Sequence, residues 1–209
     1  MLEEKEIEEN YNTFITLIRD NIKREGVENL LNWLAHKDLK IAPASTKFHM
    51  SCKGGLVKHS LNVYNRLKQL IKIEFPDMEK CPYTEETITL VSLLHDISKV
   101  NFYDLQMRNT KDEKGNWVQV PYYSVKPVEN RLIFGSHSMN SYYMLSTFFK
   151  LSYEEGLAIL HHMGGTDPSE DTISIKNVFT AFEKSKLAVL LHIADLMATT
   201  IDEVGTAGE

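Results

Sequence analysis

The chain has 209 residues, a formal net charge of −6, 43% hydrophobic and 25% charged residues, and only 10 Gly and 6 Pro. These proportions exclude a disordered or fibrous chain, and the acidic balance argues against a protein that grips duplex nucleic acid through its phosphates. The cysteines Cys52 and Cys81 form neither a disulfide framework nor a zinc knuckle, which points to a reducing compartment.

The N-terminus, Met1 to Glu9, is acidic where a signal peptide would be basic and then apolar. The longest apolar stretches, Ile88 to Leu94 and Leu187 to Met197, fall well short of a bilayer span. A cytoplasmic protein with no membrane partner is therefore expected.

Ile7, Tyr11, Phe14, Ile18 and Ile22 step by three or four, one face of a helix that Gly26 is expected to end. Val27, Leu30, Leu31 and Leu34 begin a second. From His36 to Gly55 there is no period, and Pro43, Ser45, Thr46 and Gly54-Gly55 mark an extended connection. A helix starting near His59 should stop before Pro76. Another, after Pro82, carries Ile88, Val91 and Leu94 on one face and His95-Asp96 at its far end.

Lys111 to Asn116 has turn chemistry, and Trp117 to Val125 mixes β-branched and aromatic residues with polar ones, which predicts a small β-hairpin. Ser152 to Glu155 is a capping box that introduces a helix running into His161-His162. The last helical region ends around Asp202, with Val189, Leu190, Ile193 and Met197 buried about Asp195.

A His-Asp dipeptide alone says little, but His95-Asp96 follows the apolar run Val91 to Leu94. Further possible ligands stand in helical or Gly/Ser-rich settings: His59, His137 in Gly135-Ser-His-Ser, His161 or His162, and Asp195. A buried carboxylate such as Asp195 is costly unless it is paired or meets a cation.

In chain order, His59, His95-Asp96, His137, the His161-His162 pair and Asp195 resemble the ordered signature of the HD superfamily. Gly54 to Ser60 and Leu94 to Lys99 are similar to its two most recognisable blocks, and the resemblance runs from Ala42 to Asp202. It implies an all-α helical bundle, here with the hairpin inserted, as a single domain over 1–209. Within it, 1–35 would hold N-terminal helices, 36–99 the first ligand blocks, 100–131 the hairpin insertion and 132–209 the remaining ligand helices.

Relatives with one metal use only the first His, the His-Asp pair and the final Asp, whereas the dinuclear ones use two further histidines. The resemblance thus implies that Asp96 bridges two divalent transition-metal ions, with His59, His95 and Asp195 completing one position and His137 and His162 the other. Imidazole and carboxylate ligands do not choose among Fe, Mn, Ni, Co and Zn. In related His-His-Gly blocks glycine follows the ligand by two residues, so Gly164 selects His162 and leaves His161 as a neighbour or substrate contact.

Two such ions about 3.5–4 Å apart suit phosphoester hydrolysis, so the expected substrate is a small phosphorylated molecule, a nucleotide for preference. Lys99, whose equivalent recurs in dinuclear relatives, is the expected cation beside Asp96. Lys126, Arg108 and Arg131, which flank the hairpin, are further candidates near phosphate. His49 lies in a segment similar to one subgroup of small bacterial and phage HD hydrolases, and either reaches substrate or is a hydrogen-bonded loop histidine. His36 and His192 are read as structural.

The segment after His162 lacks the Gly-Tyr-Pro element of the relatives that degrade cyclic di-GMP, and Lys58 stands where many relatives carry an acid. The same ligand order also occurs in HD-fold di-iron oxygenases that cleave carbon bonds with O₂, so that class is the rival reading. A degenerate metal-binding regulator is disfavoured because every ligand position is filled.

Overall fold

The computed structural model describes residues 2–132, 135–166 and 172–205. It is mostly helical, with one two-stranded antiparallel sheet among the described residues. Helices α1 (Glu4–Asn21) and α2 (Val27–Ala35) come first. Gly26 does not end α1 as expected but caps the start of α2. The chain leaves α1 earlier because the backbone N–H groups of Lys23 and Arg24 donate to Glu86 Oε1 at 2.7 and 3.0 Å instead of continuing the helical ladder.

The irregular 36–54 connection leads into α3 (Gly55–Glu74), which starts four residues before His59 and stops ahead of Pro76. Gly55 is required there, because a Cβ would lie 2.1 Å from the Met50 carbonyl oxygen. Helix α4 (Glu85–Leu94) is capped by Thr84, whose hydroxyl accepts from Thr87 N, and it delivers His95-Asp96 into a 3-10 turn, Ile97–Lys99.

Strands β1 (Tyr103–Lys111) and β2 (Trp117–Val125) form the expected hairpin, in register from Tyr103↔Val125 to Lys111↔Trp117. Its turn is organised by Asp112, whose Oδ1 accepts from Lys114 N and Asn116 N at 2.9 and 2.8 Å. Then follow α5 (His137–Phe148), α6 (Tyr153–His161), α7 (Thr172–Lys184) and α8 (Lys186–Met197), the last running into a π-helical turn, Ala198–Asp202. The Ser152/Glu155 capping box is present as read from the sequence.

One continuous core joins Phe14 and Ile18 of α1, Leu34 of α2, Leu67 of α3, Leu90 and Leu94 of α4, Leu145 of α5, Ile159 of α6 and Leu187 and Leu191 of α8. Each such buried side chain contributes about 1.5–3 kcal/mol over its exposed state. Helix α3 packs on both α4 and α8, which brings His59, His95 and Asp195 to one interior point. Ile193 is on the outer face of α8, contrary to expectation, because Leu187, Leu190, Leu191 and Ala194 form the inward stripe. No helix among the described residues is long and apolar enough to cross a membrane.

Candidate metal centre

Asp96 sits at the hub of the interior. Its backbone leaves the helix at φ −108°, ψ 20°, near the sparsely populated bridge region where active-site residues are often found. The carboxylate is buried and its two oxygens face different neighbours. Oδ2 lies 3.8 Å from His59 Nε2, 3.5 Å from His95 Nε2 and 2.6 Å from Lys99 Nζ. Oδ1 lies 3.6 Å from His137 Nε2 and 3.5 Å from His162 Nε2. Asp195 completes the cluster, with Oδ1 3.2 Å from His59 Nε2 and its carboxylate grouped with His95 and His162 within 4.8 Å.

His95 and His162 are presented by the same local device. Each is the first residue beyond a helix, α4 and α6 respectively, and each ring turns back so that Nδ1 lies 2.8 Å from the carbonyl oxygen three residues earlier, Ser92 or Ile159. A carbonyl only accepts, so Nδ1 carries the proton and Nε2 turns a lone pair inward. His137 opens α5, and Ser98 ties it to the Asp96 segment by donating to the His137 carbonyl at 2.8 Å.

Lys99 reaches Asp96 although the α-helix does not continue to it. The 3-10 turn, closed by Lys99 N donating to Asp96 O at 3.0 Å, places the ammonium over the carboxylate. Gly164 keeps the block after α6 open. Its φ is +60°, and a Cβ would sit 2.6 Å from His192 Cε1. The Asp167-Pro168 end of that block lies outside the described residues.

Burial by itself would raise the Asp96 pKa, but Lys99, His95 and His162 overcome it and hold the group well below the usual carboxylate range. Burial opposes charge on His59, yet Asp195 and Glu203 push its pKa up to about 10. Burial likewise opposes charge on Lys99, and Asp96 more than offsets it, so the ammonium stays charged. The interior therefore attracts positive charge strongly.

A divalent ion fits this donor set. The buried atoms His59 Nε2, His95 Nε2, His162 Nε2 and Asp96 Oδ1 make no hydrogen bond, although buried polar atoms are nearly always partnered. They converge in overlapping groups, among them His59/His95/Asp96, His95/His162/Asp195 and Asp96/His137/His162, each with its ligand atoms within 4.8 Å. Neutral imidazole nitrogens and carboxylate oxygens are ordinary ligands for first-row transition metals.

A family model for the HD domain matches residues 56–200. The chain belongs to the HD domain family. That membership puts it in a superfamily of metal-dependent hydrolases. No curated protein and no solved structure is matched by the chain. Within this HD domain His59, His95, Asp96, His137, His162 and Asp195 all fall inside the matched span, whereas His49 and Glu203 lie outside it.

A cavity of about 370 Å³ opens onto the centre, lined by Asp96, Asp195, His137, Lys99, His49, His192, Tyr103, Ser45, Thr46 and Thr199 on its polar side and by Ala44, Phe48, Val125, Met163 and Leu196 on its apolar side. His49 takes its place there, 4.8 Å from the His59 ring, and burial with the nearby His59 and Lys99 lowers its pKa to about 4. His161 is half-buried and joins none of the candidate ligand groups, whereas His162 is buried and joins two of them.

The hairpin cations do not reach the cavity. Lys126 lies 3.8 Å from Asp104, Arg131 donates to the Lys126 carbonyl and stacks over Phe102, and Arg108 packs over Tyr122. None of the three is among the described residues that line the cavity, where Lys99 stands instead. Lys58 turns outward to Glu6 at 3.2 Å, so its departure from the family pattern does not touch the ligands.

Sequence reading missed three contributors. His192, taken as structural, lines the cavity and its Nδ1 lies 2.7 Å from the His162 carbonyl oxygen. A legible signal existed, since His192, Asp195, Leu196 and Thr199 form an i, i+3, i+4, i+7 stripe and all face the cavity. Tyr103 opens β1, the strand before the predicted turn, where no residue pattern marked it. Glu203 carried no signal, being an acid beyond the final helix.

Proposed function

We propose that this HD domain is a phosphohydrolase or phosphodiesterase that uses two divalent transition-metal ions, bridged by Asp96, to hydrolyse a small phosphoester, a nucleotide for preference. The observation that carries the reading is the division of Asp96: Oδ2 faces His59 and His95, and Oδ1 faces His137 and His162. When bound, two such ions lower the pKa of a shared water and stabilise charge on the attacking and leaving oxygens of a phosphoester.

The chain's own groups have complementary tasks. His59, His95 and Asp195 would hold one ion and His137 and His162 the other. The Lys99 ammonium, fixed on Asp96 and facing the cavity, supplies a preorganised positive charge for the phosphoryl oxygens. Tyr103 remains a neutral hydroxyl donor at neutral pH, since burial raises its pKa and Lys99 only partly opposes that. Phe48, Met163, Leu196 and Val125 offer an apolar wall to the organic part of the ester.

The test is turnover of bis(p-nitrophenyl) phosphate and a panel of nucleotides by protein loaded with Mn or Zn, assayed under argon. Release of nitrophenol, phosphate or a nucleoside is the expected result. Turnover that demands both iron and O₂, with every phosphoester left intact, would replace this reading by the oxygenase one.

A further inference from the structure

The three buried histidines of the centre are not held alike. Behind His95 and His162 stand neutral carbonyl oxygens. Behind His59 stands a carboxylate: Nδ1 lies 3.1 and 3.2 Å from the two oxygens of Glu203, a residue only 2% exposed. Glu203 is fixed in turn by Asn62 Nδ2, which donates to Oε1 at 2.9 Å from the next turn of α3.

The backbone explains how an acid beyond the last helix arrives there. After Asp195 the helix widens into the π-turn Ala198–Asp202, closed by Glu203 N donating to Ala198 O at 3.0 Å. Arg66 of α3 grips Asp202 just before it, its Nε donating to Oδ2 at 2.8 Å. The strap therefore folds back on α3 beneath His59. Single π-turns in helices occur frequently at functional sites.

We propose that Glu203 is a positioning residue that makes the His59 side of the centre the tighter of the two metal positions. A carboxylate accepting the Nδ1 proton fixes the ring and raises the donor strength of Nε2. The same side also has Asp195 3.2 Å from His59 Nε2. No comparable carboxylate stands behind His162 among the described contacts of its Nδ1, which meets a carbonyl. The first equivalent of metal accordingly occupies the His59 side. The inference rests on the metal-centre reading above but not on the identity of the substrate.

The experiment is a chelator-competition titration of the full chain with Mn and with Zn, wild type against Glu203→Gln and Asn62→Ala, with circular dichroism to verify folding. Wild type should show a tight and a weaker step. Glu203→Gln should weaken the tight step about 10–100-fold, the usual effect of losing a partner behind a ligand, and leave the weaker step in place. Asn62→Ala, which keeps the carboxylate and removes only its support, should shift the tight step in the same direction by less, and it serves if Glu203→Gln fails to fold. Two steps of unchanged affinity in a folded variant, or equal weakening of both, would overturn the inference alone. A wild-type chain that binds no metal would overturn the metal-centre reading and this inference with it.

Discussion

Two of the polar clusters inside this protein differ in how completely they are satisfied. At the junction of α1, α4 and α6, Arg24 forms a two-pronged pair with Glu155 at 2.9 Å for each prong, and Thr87 and Ser152 N fill the remaining positions on that carboxylate at 3.1 and 2.8 Å. At the centre, His59, His95, His162 and Asp96 leave buried atoms with no hydrogen bond at all. An interior that meets its own needs is a brace. One that leaves converging lone pairs unmet is shaped for something absent from the chain.

The sharpest way to test that contrast is Asp96→Ala. If Asp96 serves both metal positions, the variant should lose both ions by elemental analysis and all phosphoester turnover. Loss of one ion alone would break the bridging assignment. Because the substitution also strands the Lys99 ammonium in the interior, a lower Tm is expected alongside.

Lys99→Ala comes next in size. The metals should remain bound while turnover falls about 10²–10³-fold, the usual effect of removing one preorganised donor at a site of developing charge. Turnover unchanged within twofold would return Lys99 to a purely electrostatic partner of Asp96.

On the other cluster the effect should move from chemistry to stability. Arg24→Ala leaves Glu155 buried without its cation, which costs about 3 kcal/mol, the low end for a buried pair because the Arg24 side chain keeps 21% exposure. Metal content should not change. Burial by itself would raise the Glu155 pKa, but Arg24, Ser152 N and Thr87 bring it below the ordinary glutamate value. Its contribution is therefore fully present above the unfolded-chain pKa and is lost as pH falls through the lower folded value. Urea titrations across that acid range should show a shallower pH dependence for Glu155→Gln than for wild type, and equal slopes would remove Glu155 from the account.

The same contrast explains what could be read from the sequence. Helices were legible wherever apolar residues recur at three and four, as in α1, α3 and α4, and the ordered set of candidate ligands was legible through its resemblance to the HD signature. Lys99 meets Asp96 through a 3-10 turn that residue spacing alone does not announce. The end of α1 was misplaced because Glu86, more than 60 positions away, intercepts two backbone donors. Glu203 was invisible because its place depends on a π-turn, which leaves no pattern in residue types. The cations Arg108, Lys126 and Arg131 were drawn toward the site by chain position alone, and local partners hold them elsewhere.

The smallest effect belongs to the hairpin, which lies at neither pole. Its root takes part in the cavity through Tyr103 and Val125. Its outer part stands in solvent, with Leu105 62% and Trp117 71% exposed. Alternate register pairs share a face, so Tyr103/Val125, Leu105/Tyr123 and Met107/Pro121 form one apolar surface that leads away from the cavity. Replacing 107–121 by Asn-Gly would join the paired residues Gln106 and Tyr122 through a tight turn that matches strand twist. Metal content should stay as in wild type, and stability should change by no more than about 0.5 kcal/mol, as for other surface changes that leave no buried group unpaired. Any kinetic change should appear in KM, for substrates long enough to leave the cavity along that apolar surface, and not in kcat for small esters. Loss of bound metal or of helical signal in this variant would show that the outer hairpin braces the centre, and the division between a fixed interior and a dispensable arm would fail.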